Sequence, residues 1–151
     1  MGVREYRDVA RVYLDMDGVL ADFEGMSMQR KVPPAKLKLE PGVYLSLAPV
    51  AGAAAAVARI VDLGYDIFVL TKIPSQNPHA AYEKLVWLKE HFPVFGDHVI
   101  ITPDKGAIGS SRDFLIDDHP EWANALRFRG RVIRFQGSWS DTLDSLSPLS
   151  Q

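Results

Sequence analysis

Five short runs rich in β-branched and aromatic residues alternate with longer segments of helical period, and this alternation limits the fold more than any other feature of the chain. The runs are ARVYLD at 10–15, DIFVL at 66–70, HVII at 98–101, DFLI at 113–116 and RVIRF at 131–135. Between them, 49–63 reads as a helix with Pro49 near its start and Gly64 just past its end, and 78–91 as a helix opened by Pro78. A further helix is expected over 120–128, again starting at a proline. In 78–91, Tyr82, Leu85, Val86 and Leu88 or Lys89 recur at helical spacing and mark the expected packing side, with Trp87 among the packing residues. Strand and helix in alternation predict a doubly wound α/β fold, a parallel sheet of about five strands covered on both faces. The 151 residues suit a single domain, long enough to bury a core without cross-links.

In open parallel sheets the ligand lies beyond the carboxyl ends of the strands, where the strand order reverses. The residues directly after each run are therefore the candidates, rather than residues inside helices. They are DMDGVLADF at 15–23, Thr71-Lys72, Thr102 to Lys105, and Asp117-Asp118. Asp15 and Asp17, two apart on an extended chain, point to the same side. Gly18 permits a turn that other residues resist, and such a turn would leave amide N–H groups for an anion. Taken alone, Asp-x-Asp-Gly is as readily a polar strand end. The apolar Val12-Tyr13-Leu14 ahead of it makes the carboxylates the cap of a buried strand instead. A helix cap before Pro120 would account for one of Asp117 and Asp118, but less well for both. Four carboxylates brought together raise one another's pKa, and a divalent cation relieves that; oxygen ligands of this kind suit magnesium. Thr71 and Lys105 are unremarkable singly. Beside the aspartates they read as phosphate ligands, the lysine offsetting the charge of an attacking carboxylate.

Other classes of function are poorly supported. The formal net charge of −2 supplies no basic field for nucleic acid, and Arg127, Arg129, Arg131 and Arg134 read as a solvated face. The absence of cysteine excludes thiolate catalysis and zinc–thiolate sites. The four histidines have no metal-binding spacing and read mostly as surface residues; only His119 falls beside the expected site. There is no phosphate-binding P-loop and no GxGxxG. No apolar run approaches the roughly 20 residues of a membrane span. The first ten residues, with Arg4, Glu5, Arg7 and Asp8, have no apolar stretch of a signal peptide, so a cytoplasmic enzyme is expected. Residues 24–48, with Pro33-Pro34, three lysines and Pro41-Gly42, read as a small cap inserted after the first strand. Residues 142–151 read as a final short helix or a frayed tail.

DMDGVLADF, Thr71, Lys105 and Asp117-Asp118, in that order, resemble the four motifs of the haloacid dehalogenase (HAD) superfamily. DMDGVLADFE at 15–24, PGVYLSLAPVAGAAAAV at 41–57, DIFVLTKIP at 66–74, EKLVWLKEHF at 83–92, VIITPDKGAIGSSRDFLIDD at 99–118 and SWSD at 138–141 are similar to the 5′(3′)-deoxyribonucleotidase group of 5′-nucleotidases. The resemblance covers most of the chain and implies a single Rossmann-like HAD domain over 1–151. It implies that Asp15 is a nucleophile forming an aspartyl-phosphate, and that Asp17 is the acid and then the base. Magnesium would be held by Asp15, the Asp17 carbonyl, and Asp117 and Asp118. Thr71, Lys72, Lys105 and Gly18 would bind phosphate. The implied substrate is a small phosphomonoester, a nucleoside monophosphate in the closest reading. The cap is shorter than in animal members of the group and has no tryptophan, which leaves Phe23 and Tyr44 as candidates to line a base pocket. So short a cap fits either an open site for larger substrates or a pocket completed by a second subunit of a homodimer. Two other readings stand beside nucleotidase: a HAD phosphatase for a substrate such as a sugar phosphate, and a non-catalytic phosphate-binding protein.

Overall fold

The computed structural model of the chain describes residues 7–148. Its centre is β1 (Arg11–Leu14), in which Val12 and Leu14 are fully buried. β1 pairs in parallel with β2 (Asp66–Thr71) on one side and with β4 (Phe114–Asp117) on the other. β3 (Val99–Ile101) and β5 (Arg131–Arg134) complete the sheet in the order β3-β2-β1-β4-β5. All four pairings are parallel, and all five strands fall on the apolar runs, within a residue or so at either end. The chain leaves β1 in one direction to build β2 and β3, then returns to build β4 and β5 on the far side. The order therefore reverses at β1, and a ligand crevice is expected at its carboxyl end.

Alternate residues of the strands enter two separate apolar clusters. Val12, Leu14, Ile67, Val69 and Ile116 face one way, against α3 (Ala53–Asp62) through Ala53, Val57 and Ile60 and against α4 (Ala80–His91) through Trp87 and Leu88. α5 (Trp139–Asp144), capped by Ser138 Oγ accepting from the Asp141 N–H, packs on the same side. The opposite face, with Tyr13, Phe68, Leu70 and Leu115, is closed by Ala125 and Phe128. These belong to the β4–β5 link, which holds only a 3₁₀ turn at Ala125–Arg127 where a helix over 120–128 was expected. The reason is local: Ala123 and Asn124 both have positive φ, 53° and 55°, which breaks any helix there.

α4 also corrects the sequence reading of its buried side. Tyr82 and Leu85 are exposed, whereas Ala80, Glu83, Lys84, Trp87 and Leu88 face inward. Two charged residues thus lie on the inner stripe, and each has partners there. The Glu83 carboxylate accepts from the backbone N–H of Gly42 at 2.8 Å and of Tyr44 at 3.2 Å. Trp87 Nε1 donates to Leu47 O at 2.8 Å, and Asn77 Nδ2 to Lys38 O at 2.9 Å. These bonds fasten the inserted segment, made of α1 (Phe23–Arg30), α2 (Pro34–Leu37) and a 3₁₀ turn at Val43–Ser46, to the body of the domain. Breaking any of them would strand a buried polar group, at about 1–3 kcal/mol each.

Candidate active site

Asp15 follows β1 directly, Thr71 ends β2 and Asp117 ends β4, so strand register alone carries these three side chains to one end of the sheet. Lys105, in the 3₁₀ turn after β3, comes to the same place and is buried. Its ammonium donates to Asp15 Oδ1 at 3.0 Å and to Asp117 Oδ2 at 2.8 Å. Asp117 Oδ1 accepts from the His119 N–H at 2.9 Å, which fixes the carboxylate's rotation. One oxygen from each of Asp15, Asp117 and Asp118 lies within 4.8 Å of the others.

The electrostatics of this trio are unbalanced. Burial is the largest cause pushing the Asp15 carboxyl well above the ordinary carboxylate range; Lys105 opposes it, and Asp117, Asp118 and Asp17 add to it. Asp118 is also raised, again mainly by burial, with a hydrogen bond to Asp15 and the nearby His119 in opposition. One lysine is not enough positive charge for three carboxylates. An all-oxygen donor set of this size with surplus negative charge fits a magnesium ion, with Asp15, Asp117 and Asp118 as the residues that would hold it. The Asp17 carboxylate is not part of the trio.

A prediction follows for the metal-free protein. Two carboxyls bind protons more tightly folded than unfolded, so their contribution to stability is complete below the ordinary carboxylate pKa and is lost as pH rises through the raised folded values. The melting temperature of chelator-treated protein should therefore fall from mildly acid to neutral pH. Added magnesium should raise it again at neutral pH, by less in Asp118→Asn, as calorimetry would show.

Asp17 faces a second buried cation. Lys84 Nζ, from the interior of α4, donates to Asp17 Oδ2 at 3.1 Å, to Thr71 Oγ1 at 2.9 Å and to the Lys72 carbonyl at 2.7 Å. The Tyr44 ring covers the ammonium, its centroid 4.8 Å away. Asp17 Oδ1 is buried without a hydrogen-bond partner, and the side chain as a whole keeps 29% of its surface exposed. Lys84 is the candidate site residue that strand-end reasoning passed over, because that reasoning looked only after strands. The signal was present: the inner stripe at 80, 83, 84, 87 and 88 has helical period, and it carries a lysine opposite the strand that ends in Thr71.

Other candidates take different places. Gly18 has φ +87°, and a Cβ there would meet Asp118 Oδ2 at 1.9 Å, so its lack of a side chain makes room for that carboxylate. Its N–H, however, donates to Ala21 O at 2.8 Å, and the amides of Val19 and Leu20 bond to Met16 O, so the turn uses these donors itself. The Lys72 side chain is exposed; its carbonyl is what reaches Lys84. Phe23 and Tyr44 stack on each other at 5.8 Å, and Tyr44 is only 2% exposed, packed into the core instead of lining an open pocket. Among the histidines, His98 is buried against Phe68, with ring centroids 4.1 Å apart, rather than at the surface.

An aspartate pair after the central strand, a threonine after the next, a buried lysine and a second aspartate pair across the sheet define a HAD-type phosphatase. Comparison with known proteins agrees. The family model described as "5′ nucleotidase, deoxy (Pyrimidine), cytosolic type C protein" matches residues 36–145, and the chain belongs to that family. The mitochondrial 5′(3′)-deoxyribonucleotidase of Mus musculus is 32% identical over 149 aligned residues, covering 76% of this chain and 67% of that protein. The cytosolic-type 5′(3′)-deoxyribonucleotidase of Homo sapiens is 28% identical, covering 89% and 94% respectively. In fold the chain is similar to the D,D-heptose 1,7-bisphosphate phosphatase of Burkholderia thailandensis, with a TM-score of 0.55 at 13% identity over 91% of this chain and all of that one. No helix among the described residues is long and apolar enough to cross a membrane.

Proposed function

We propose that the protein is a magnesium-dependent 5′-nucleotidase that hydrolyses nucleoside monophosphates through a phosphorylated Asp15. The observation that carries the reading is the position of Asp15, with one oxygen on Lys105, a neighbour in Asp118, and Asp17 held two residues away by a separate cation. Asp15 attacks phosphorus in line, and the bond from phosphorus to the leaving oxygen breaks. Asp17 gives that oxygen its proton. Asp17 then takes a proton from water, the water oxygen attacks phosphorus, and the Asp15 carboxylate is released with inorganic phosphate. Lys105 and Thr71 would meet the non-bridging oxygens, with Lys84 positioning Thr71 and Asp17; charge stabilisation and positioning supply most of the rate in phosphoryl transfer. Magnesium, when bound by Asp15, Asp117 and Asp118, supplies charge neutralisation for the approaching phosphate.

Support for the nucleotide comes from the family and from relatives named as deoxyribonucleotidases. The relatives are named for two compartments, mitochondrial and cytosolic, and a cytoplasmic location has the cytosolic-type name alone behind it. The burial of Tyr44 favours a second reading, a HAD phosphatase for a non-nucleotide phosphomonoester. A panel of deoxyribonucleotides, ribonucleotides and sugar phosphates, assayed for phosphate release with and without magnesium, separates the two. Preference for nucleoside monophosphates by about ten-fold or more in kcat/KM, roughly 1.4 kcal/mol, is the expected outcome. Equal rates on sugar phosphates would sink the nucleotidase claim. Asp17→Asn should still bind phosphate in the same assay while losing turnover.

A further inference from the structure

We infer that Trp122, held by stacking on His119, is the surface on which the nucleobase of the substrate rests. The inference builds on the nucleotidase reading and names a site for the part of the substrate that the phosphate machinery leaves unplaced. A nucleobase needs an aromatic face open to solvent and within a nucleotide's reach of the phosphate. Of the two aromatics of the inserted segment, Tyr44 is buried against Phe23 and Lys84, and Phe23 is partly buried with its ring stacked on Tyr44. Among the described residues the exposed large aromatics are Tyr82, 69% exposed, and Trp122, 63% exposed. Tyr82 lies about 200° around α4 from the inward-facing Lys84 and so points away from the site.

Trp122 is tied to the site from two sides. Its indole stacks on the His119 ring with centroids 4.0 Å apart, and His119 Nε2 is 3.7 Å from Asp118 Oδ2. The next residue, Ala123, accepts a hydrogen bond from the Lys105 N–H at 2.8 Å through its carbonyl oxygen. The loop that carries the indole is thus joined both to His119 beside the last aspartate and to the backbone of the lysine that would bind phosphate. His119 covers one face of the indole, and the residue is still largely exposed.

The loop is built to keep the indole there. His119 Nδ1 is 3.1 Å from Glu121 Oε1, and Glu121 Oε2 accepts from Arg134 Nη2 at 2.8 Å. Asn124 Nδ2 donates to Asp104 Oδ1 at 2.8 Å, joining the loop to the turn that carries Lys105. Two consecutive non-glycine residues, Ala123 and Asn124, are held in the left-handed region, a conformation that persists where surrounding contacts enforce it and that is concentrated at functional sites. An exposed indole on so constrained a loop has the geometry of a stacking platform for a planar ring.

The test compares KM for a deoxyribonucleoside monophosphate with KM for ribose 5-phosphate, which carries the same phosphate on a sugar without a base. In Trp122→Ala the ratio of the two should rise roughly ten-fold, the scale of lost base–aromatic stacking. Trp122→Phe should restore most of it, and Leu126→Ala, which removes another exposed side chain of the same loop, should leave the ratio at its wild-type value. A ratio unchanged in Trp122→Ala, with the wild type active on nucleotides, would overturn the platform and leave the nucleotidase reading standing. A wild-type protein that releases phosphate from no nucleoside monophosphate would overturn the nucleotidase reading and the base site with it.

Discussion

Lys105→Met is expected to lose at least about 1,000-fold in kcat/KM and, separately, to become less stable. Lys105 is bonded to both Asp15 and Asp117; burial is the largest single influence on its pKa and lowers it, but the attraction and hydrogen bonds of the two carboxylates together outweigh burial and leave it raised. Methionine keeps the length and apolar stem but leaves two carboxylates without their cation. Removing one partner from a buried pair costs about 3–5 kcal/mol, which for a domain of this size lowers the melting temperature by roughly 10 °C. The two losses respond differently to metal. Magnesium held by Asp15, Asp117 and Asp118 replaces the missing charge on the carboxylates, so excess magnesium should restore much of the melting temperature. It does not replace the cation facing the phosphoryl oxygens, so activity should stay low. Thermal melts and phosphate release, each over a magnesium titration, check both halves. Recovery of activity together with stability would make Lys105 only a structural counter-ion.

Lys84→Met is the second large effect: about 100-fold lower kcat/KM, with a smaller loss of stability than in Lys105→Met. Lys84 binds the proposed acid, Asp17, and the proposed phosphate ligand, Thr71, so its removal disturbs both proton transfer and phosphoryl binding. Asp17 has 29% of its side chain exposed and can take up water when the ammonium is gone, unlike Asp117, at 2%. Inhibition by inorganic phosphate should weaken in parallel. Full activity in Lys84→Met, with inhibition by phosphate intact, would reduce Lys84 to a buried structural lysine.

The parallel sheet was legible because each strand is an apolar run and each link has its own period or a proline. The aspartates, Thr71 and Lys105 were legible because strand ends converge in a parallel sheet whatever the details of packing. Lys84 was not, for a definite reason. The recurrence of Tyr82, Leu85 and Val86 at helical spacing marks them as the inner side, and a buried charge has no such apolar signal. The true side is set by partners distant in sequence: the amides at Gly42 and Tyr44 for Glu83, and Asp17 and Thr71 for Lys84. The same holds for the loop after Asp118. Nothing local in Pro120 to Phe128 announces that Ala123 will take a left-handed conformation; the bonds from Lys105 N to Ala123 O and from Asn124 to Asp104 do that. Pairing preferences are carried by the strands themselves, whereas these features depend on contacts that exist only once the sheet has formed.

The central claim is that phosphate passes through Asp15. The most direct measurement is acid quenching of the enzyme during turnover of a deoxyribonucleoside monophosphate with magnesium, followed by proteolysis and mass spectrometry of the peptide that contains Asp15. A phosphate adduct on Asp15, absent from Asp15→Asn, together with loss of turnover in that variant, is the predicted result. Undiminished phosphate release by Asp15→Asn would contradict it.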